Sequence, residues 1–331
     1  MKAVICRGFE PDQAALEDWP EPHLPEDGVR IAIKSSGVSF ANLLVMQGKH
    51  QNRQEPPFIP GTEVAGEVIE CGRAVNRFKP GQRVVAGLRA GGFAEQAVAV
   101  ESNVFALPDQ VSFDQAVQFP TIYATAYAGL AWRAALQPGE TLLVHGAAGA
   151  SGLAAVELGK LMGARVIATA GSQDKLDAVL AQGADIAINY REEDFRQRVL
   201  DETAQRGADV IFDPVGGATF DASLRCIAPD GRILPIGFAG GGIPQIPANI
   251  VLVKNITVIG LYWGYYMGWA KQAPPPGTSI RVRQAFDTLL AWTAAGRLKP
   301  RLFARYALDD FRQALEAIAN REAIGKIVMH P

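Results

Sequence analysis

Cysteine is scarce: the 331-residue chain holds three, Cys6, Cys71 and Cys226. They are odd in number, far apart and form no CxxC pair, which excludes both a disulfide framework and a thiolate zinc lobe. Histidine is almost as rare, and His23, His50, His145 and His330 show no metal-ligand spacing. Neither sign of charge dominates, with 32 Lys+Arg against 34 Asp+Glu and a formal net charge of −2. No basic run is interleaved with aromatics, so nothing points to nucleic acid. Long apolar runs are also missing. The start, Met1 to Glu10, lacks the apolar stretch of a signal peptide. The most apolar later run, Ile246 to Tyr266, is broken by Pro247, Asn249, Lys254 and Asn255, which argues against a membrane span. These absences predict a globular, cytoplasmic protein in a reduced compartment.

Apolar residues are plentiful, at 48%, and they are grouped in short runs. The most informative segment is Thr141 to Lys160. Thr141 to His145 is a β-prone apolar run. Gly146, Gly149 and Gly152 recur at three-residue spacing, and Leu153, Val156 and Leu161 continue at helical spacing. A glycine turn between strand and helix lets backbone approach a pyrophosphate and aims a helix N-terminus at its charge. Further strands are predicted over Arg165–Ala170, Asp185–Asn189, Ala208–Phe212, Arg232–Gly237 and Asn255–Tyr262. Helices fall between them at Gln173–Gln182, Glu193–Thr203 and Phe220–Ala228. This alternation implies a parallel, doubly wound α/β sheet of strand order 3-2-1-4-5-6, with a dinucleotide across its switch point.

The end of the second strand chooses between nicotinamide cofactors. An acidic residue there serves the free 2′-hydroxyl of NAD. Here the strand runs straight into Gly171, Ser172 and Lys175, whose hydroxyl and ammonium suit the 2′-phosphate of NADPH. Asp174 can turn inward, and Ser172 can serve as a plain helix N-cap.

Residues 1 to 120 differ in texture. Short strand-like runs alternate with Pro56-Pro57, Pro60-Gly61 and Lys79-Pro80-Gly81, as in a β-rich domain. The helix Leu308–Ala319 and strand Lys326–Met329 are expected to rejoin it. The Rossmann domain is then an insertion at 121–266, flanked by 1–120 and 267–331.

These features resemble the medium-chain dehydrogenase/reductase superfamily, and within it the zinc-free quinone oxidoreductases. The marks are Gly37-Val-Ser-Phe40 with Asn42, Gly61-Thr-Glu-Val-Ala-Gly66, Phe78-Lys-Pro-Gly81, Gly92-Phe-Ala-Glu95, Asp213-Pro-Val-Gly-Gly217 and Ile324-Gly-Lys-Ile-Val328. The resemblance implies a GroES-like catalytic domain. It also implies hydride transfer from NADPH to a quinone or α,β-unsaturated carbonyl. Zinc-dependent relatives carry ligands where this chain has Ser39, Thr62 and Thr121. Glu63 alone cannot replace them, so no metal is expected.

By resemblance the pyrophosphate meets Gly149, Ala150, Ser151 and Gly152, and the adenosine end meets Ser172, Lys175 and Tyr190. Asn42, Thr125, Gly237, Phe238 and Lys326 belong to the nicotinamide end. Enoyl reductases of the superfamily place a tyrosine where His50 stands, making His50 the candidate proton donor, with Tyr123 as a fallback. Trp263, Tyr265 and Tyr266 are candidate walls for a flat acceptor. The strand Asn255–Tyr262, apolar and without charge, is expected to pair across a homodimer. Two alternatives stand. One is a 2-enoyl-CoA reductase, needing a basic entrance for which Arg53, Arg89 and Arg283 are candidates. The other is a non-catalytic NADPH-binding protein.

Overall fold

The computed structural model describes residues 1–331, the side chain of Pro11 excepted. The chain forms two compact units, one of Met1–Thr121 with Gly264–Pro331 and one of Ile122–Trp263.

The second unit is built on six parallel strands: β1 (Thr141–Val144), β2 (Arg165–Ala170), β3 (Ile186–Asn189), β4 (Ala208–Asp213), β5 (Ile227–Pro235) and β6 (Thr257–Val258). Their order is β3-β2-β1-β4-β5-β6, as the alternating pattern predicted. The intervening helices are α1 (Ala150–Leu161), α2 (Gln173–Ala181), α3 (Phe195–Glu202) and α4 (Gly217–Cys226). Strands covered on both faces must be apolar throughout. Leu143, Ile167, Ile188, Ile211 and Ile233, one from each of five strands, are accordingly fully buried in a single cluster. Each such side chain contributes about 1.5–3 kcal/mol by leaving water.

Two expectations about this sheet are corrected. β5 begins five residues early, at Ile227, and passes through Asp230 with positive φ. β6 is only two residues long, not the eight expected over Asn255–Tyr262. The reason lies on either side of it. Pro247 starts a helix over Ala248–Lys254, and Asn255 ends that helix in the left-handed conformation. The aromatic run that follows is helical over Trp263–Tyr266.

The first unit is β-rich. Its central strand, Gly28–Val38, pairs antiparallel with Glu63–Cys71, Gln96–Val100 and Lys326–His330. The last of these brings the C-terminus back, with Val328 opposite Gly37. Helix Phe311–Ala319 repeats apolar residues at helical spacing. Phe311, Ala314, Leu315 and Ala317 bury their faces with Val38, Val45, Ile327 and Met329. Among the described residues no helix is long and apolar enough to cross a membrane.

Candidate functional site

The glycine turn after β1 has the geometry of a diphosphate cradle. Gly146 holds positive φ, and the amide of Gly149 donates to its carbonyl at 3.0 Å. Gly149 is the N-cap of α1, and no side chain caps it. The first turn at Ala150, Ser151 and Gly152 therefore keeps its amides for a ligand. A Cβ at Gly152 would stand 2.5 Å from the Gly146 oxygen and 2.6 Å from the Ala147 Cα, so only glycine lets α1 close onto the turn. A Cβ at Gly149 would meet only the Gly146 oxygen, at 3.4 Å, which leaves the mouth open. The pieces fit an anionic diphosphate.

Beneath the turn, His145 is buried between two hydroxyls. Its Nδ1 lies 3.0 Å from Thr169 Oγ1 and its Nε2 2.8 Å from Ser223 Oγ. Ser223 already donates to the Thr219 carbonyl, at 2.7 Å. Its oxygen therefore accepts from Nε2–H, and Thr169 donates to Nδ1, which fixes one neutral tautomer. Burial pushes the His145 pKa down to about 3. The Thr169 carbonyl in turn accepts from the Ala147 amide in the glycine turn, at 3.1 Å.

The tip of β2 gathers charged side chains of both signs. A Cβ at Gly171 would meet the Tyr190 hydroxyl at 2.6 Å and Arg191 Nε at 3.1 Å, so both side chains fold over this glycine. Ser172 and Lys175 follow at the start of α2. The Ser172 hydroxyl donates to Asp174, and this hydrogen bond holds the Asp174 carboxyl below its usual range. A phosphate at Ser172 must draw its hydroxyl away from Asp174. Arg191 was missed by sequence reasoning. Its signal was its place just past β3, which the strand order sets beside β2. With Lys175 it gives the tip two cations.

The opposite rim comes from β4 and β5. Asp213 is fully buried. Its Oδ1 accepts from the amides of Val215 and Gly216, at 2.8 and 3.0 Å, and shapes the turn into α4. Its Oδ2 has no partner among the described residues, and burial raises its pKa. Beyond β5, a Cβ on Gly237 would have nothing nearer than the Pro214 oxygen at 3.4 Å, and Phe238 is exposed. Thr125, in the same unit, is half-buried within the helical stretch that precedes β1.

In the first unit a second cluster forms where three strands meet. Glu63 and Lys326 are buried and paired. Thr121 donates its hydroxyl to the other Glu63 oxygen. Gly37 permits this: a Cβ there would stand 2.6 Å from Glu63 Oε1 and 2.8 Å from Lys326 Cε. Lys326 is thus a committed ion-pair partner, not a solvated strand-start lysine. Asn42 is also fully buried. Its Oδ1 accepts from the Ser39 amide and hydroxyl, both at 2.8 Å, and its Nδ2 has no partner among the described residues. Ser39 and Thr121, which stand at two of the zinc positions, are hydroxyls engaged with Asn42 and Glu63. Among the described residues no three His, Cys, Asp or Glu side chains cluster as metal ligands.

The candidate proton donors each have a partner in the structure. Tyr123 is buried and donates to Glu157 at 2.7 Å. Burial and that carboxylate raise its pKa well above the usual value, so its proton is held. His50 accepts at Nδ1 from the Asn52 amide, at 3.0 Å, and burial lowers its pKa. A ring that accepts at Nδ1 carries no proton there, and burial favours this uncharged form. Trp263 is buried, its ring centroid 6.0 Å from that of Trp132. Tyr265 and Tyr266 are half-buried and meet edge to face at 5.6 Å. Tyr266 also lines a hollow of about 110 Å³ with Asn103, Met267 and Val282.

Fold and cradle define a dinucleotide-binding oxidoreductase built as a Rossmann unit carried by a β-rich unit. Known proteins agree. Residues 25–109 match the alcohol dehydrogenase GroES-like domain and residues 150–274 the zinc-binding dehydrogenase family. The quinone oxidoreductase-like protein 2 homolog of Nematostella vectensis is 40% identical over 99% of this chain and 88% of its own length. Human quinone oxidoreductase is 28% identical over 99% and 97%. The Escherichia coli quinone oxidoreductase complexed with NADPH superposes with a TM-score of 0.90 at 27% identity, covering all of both chains. The chain belongs to the quinone oxidoreductase-like family of the medium-chain dehydrogenase/reductase superfamily.

Proposed function

We propose that the protein is an NADPH-dependent, zinc-independent reductase of quinones or α,β-unsaturated carbonyl compounds. The observation that carries the reading is the β2 tip, where Arg191 and Tyr190 fold over Gly171, Ser172 and Lys175 follow at the start of α2, and a 2′-phosphate would displace the Asp174 carboxylate from Ser172. A 2′-phosphate there gains two charge-assisted contacts that NADH lacks. NADPH supplies a hydride to the electron-poor carbon of the acceptor. The acceptor then takes one proton from water, giving the hydroquinone or saturated carbonyl and NADP+. Water is the proton source because Tyr123 is sealed and burial favours the uncharged form of His50. No Lewis acid is assigned, since the two zinc positions with resolved contacts, Ser39 and Thr121, are committed hydroxyls and Glu63 is committed to Lys326. Asn42 presents its uncommitted amide as the donor within the first unit.

Assembly belongs to the same reading. Ile243, Ile246, Leu252 and Val253 are 72, 53, 75 and 77% exposed, and they precede the edge strand β6, which pairs only with β5. An apolar face beside an open edge is a liability unless covered. A second copy across a two-fold axis covers both. The three cysteines are all free, which suits a reduced, cytoplasmic setting.

The test is NADPH oxidation against a panel of quinones, enones and crotonyl-CoA. Turnover with quinones or enones supports the reading. Turnover confined to the thioester, or binding of NADPH without turnover, overturns it.

A further inference from the structure

The outer strand of the first unit's sheet, Leu302–Ala307, pairs with Lys326–His330 and leaves its other edge open. Beside it lies the short helix Phe113–Ala116. The two enclose a hollow of about 370 Å³ lined by Asp114, Gln115, Gln118, Leu302 and Arg305, with Ser112 and Pro300 completing the wall. All of these residues belong to the first unit. The volume is that of a small-molecule pocket. Asp114 organises the wall. Its Oδ2 accepts from Arg305 Nε at 2.6 Å and its Oδ1 from His330 Nε2 at 2.8 Å. Burial raises the Asp114 pKa, but these hydrogen bonds outweigh it and hold the carboxyl below its usual range. Both carboxylate oxygens are therefore committed, and Arg305 is fixed at its Nε.

What the wall still offers decides what fits. The Ser112 hydroxyl donates to Gln115 Oε1 at 3.1 Å and accepts from the Gln115 amide at 3.2 Å, so both oxygens are spent. Gln115 Nε2 has no partner among the described residues. Neither do the two terminal amino groups of Arg305, whose side chain is 61% exposed. Gln118 is only 2% exposed. Its Nε2 donates to the Asp114 carbonyl at 3.3 Å, and its Oε1 has no partner among the described residues. A buried carboxamide oxygen is costly to leave unpaired, so a donor is wanted at this wall. The hollow thus presents the paired donors of a fixed guanidinium, one free amide donor and one free amide acceptor, beside the apolar surfaces of Pro300 and Leu302. Paired guanidinium donors suit a carboxylate. The acceptor suits a hydroxyl, and the apolar pair suits the carbon chain that joins them.

We infer that this hollow is a binding site for a small hydroxy acid, its carboxylate on Arg305 and its hydroxyl donating to Gln118 Oε1. Binding is read without turnover, so the test is independent of the reductase reading. The probe is 3-hydroxybutyrate, compared with butyrate and inorganic phosphate, each titrated against the full chain and followed by ligand-observed NMR. 3-Hydroxybutyrate should bind saturably and about fivefold more tightly than butyrate, as expected for one neutral hydrogen bond. Arg305→Gln should weaken both acids about tenfold, the loss of a charge-assisted contact near the surface. Gln118→Met keeps the bulk but not the acceptor, and should bring 3-hydroxybutyrate down to the level of butyrate. Should Gln118→Met not fold, the surface variant Arg305→Gln and the comparison of the two acids on wild type decide alone. NADPH binding, read by fluorescence quenching, should be unchanged in both variants. Absence of saturable 3-hydroxybutyrate binding, or binding that Arg305→Gln leaves unmoved, overturns the inference. So does inorganic phosphate binding as tightly as the hydroxy acid, which assigns the seat to a free anion. Displacement of 3-hydroxybutyrate by NADPH also overturns it, because the acid then occupies the dinucleotide site.

Discussion

Acid should loosen the dinucleotide-binding unit through one residue, His145. The ring is buried as a neutral tautomer between Thr169 and Ser223, and its pKa falls from 6.5 to about 3. The folded pKa lies below the unfolded one, so the stabilisation is complete above pH 6.5 and is lost as pH falls toward 3. At pH 5 the unfolded ring is almost wholly protonated and the folded ring almost wholly neutral. The loss at that point is about 1.5 pH units of linkage, or about 2 kcal/mol. Urea unfolding of wild type and His145→Gln at pH 7 and pH 5, followed by a probe within residues 122–263, isolates this contribution. The amide of Gln cannot charge, so the stability gap between the proteins should narrow by about 2 kcal/mol on acidification. A gap that is the same at both pH values would refute the reasoning.

Four further outcomes follow from the same geometry. Lys326→Met strands the Glu63 carboxylate in the interior and should cost about 3–5 kcal/mol in unfolding experiments. Glu63→Gln combined with Lys326→Met should recover much of that loss, and a double variant as unstable as the sum of the singles would contradict the pairing. Arg191→Ala and Lys175→Ala should each weaken NADPH about 10- to 100-fold while leaving NADH little changed, read by quenching of protein fluorescence; equal losses would remove the 2′-phosphate assignment. Gly152→Ala, with its Cβ pressed on Gly146 and Ala147, should abolish binding of both dinucleotides in a protein whose first unit still folds. Sedimentation should give about twice the 35.4 kDa chain mass, and Leu252→Glu with Val253→Glu should halve it; a stable wild-type monomer would count against the shared edge.

Much of the second unit could be read directly from the chain. Apolar runs such as Thr141–Val144 and Ala208–Asp213 carry their own strand signal because both faces are covered. The glycine spacing at 146, 149 and 152 states its purpose locally. Where tertiary context decides, the reading failed. Asn255–Tyr262 has the composition of a full strand, but Pro247 and the left-handed Asn255 build a helix before it and leave two paired residues. Arg191 was passed over although the expected strand order already set the end of β3 beside β2; that its side chain folds over Gly171 is a contact no sequence pattern states. Lys326 and Glu63 lie at opposite ends of the chain, and only the return of the last strand to Gly37 brings them together. His50 was credited with a proton because its type suits the task. The Asn52 amide, which fixes its neutral form, sits two residues away with no recognisable pattern.

The central claim is hydride transfer from NADPH to an electron-poor acceptor without a metal. The most direct measurement is the rate of NADPH oxidation with 1,4-naphthoquinone after exhaustive chelation, alongside the same assay with NADH. Full activity is expected in the chelated protein, with a clear preference for NADPH that Arg191→Ala removes. Activity lost on chelation and restored by zinc, or an equal rate with NADH, would contradict it.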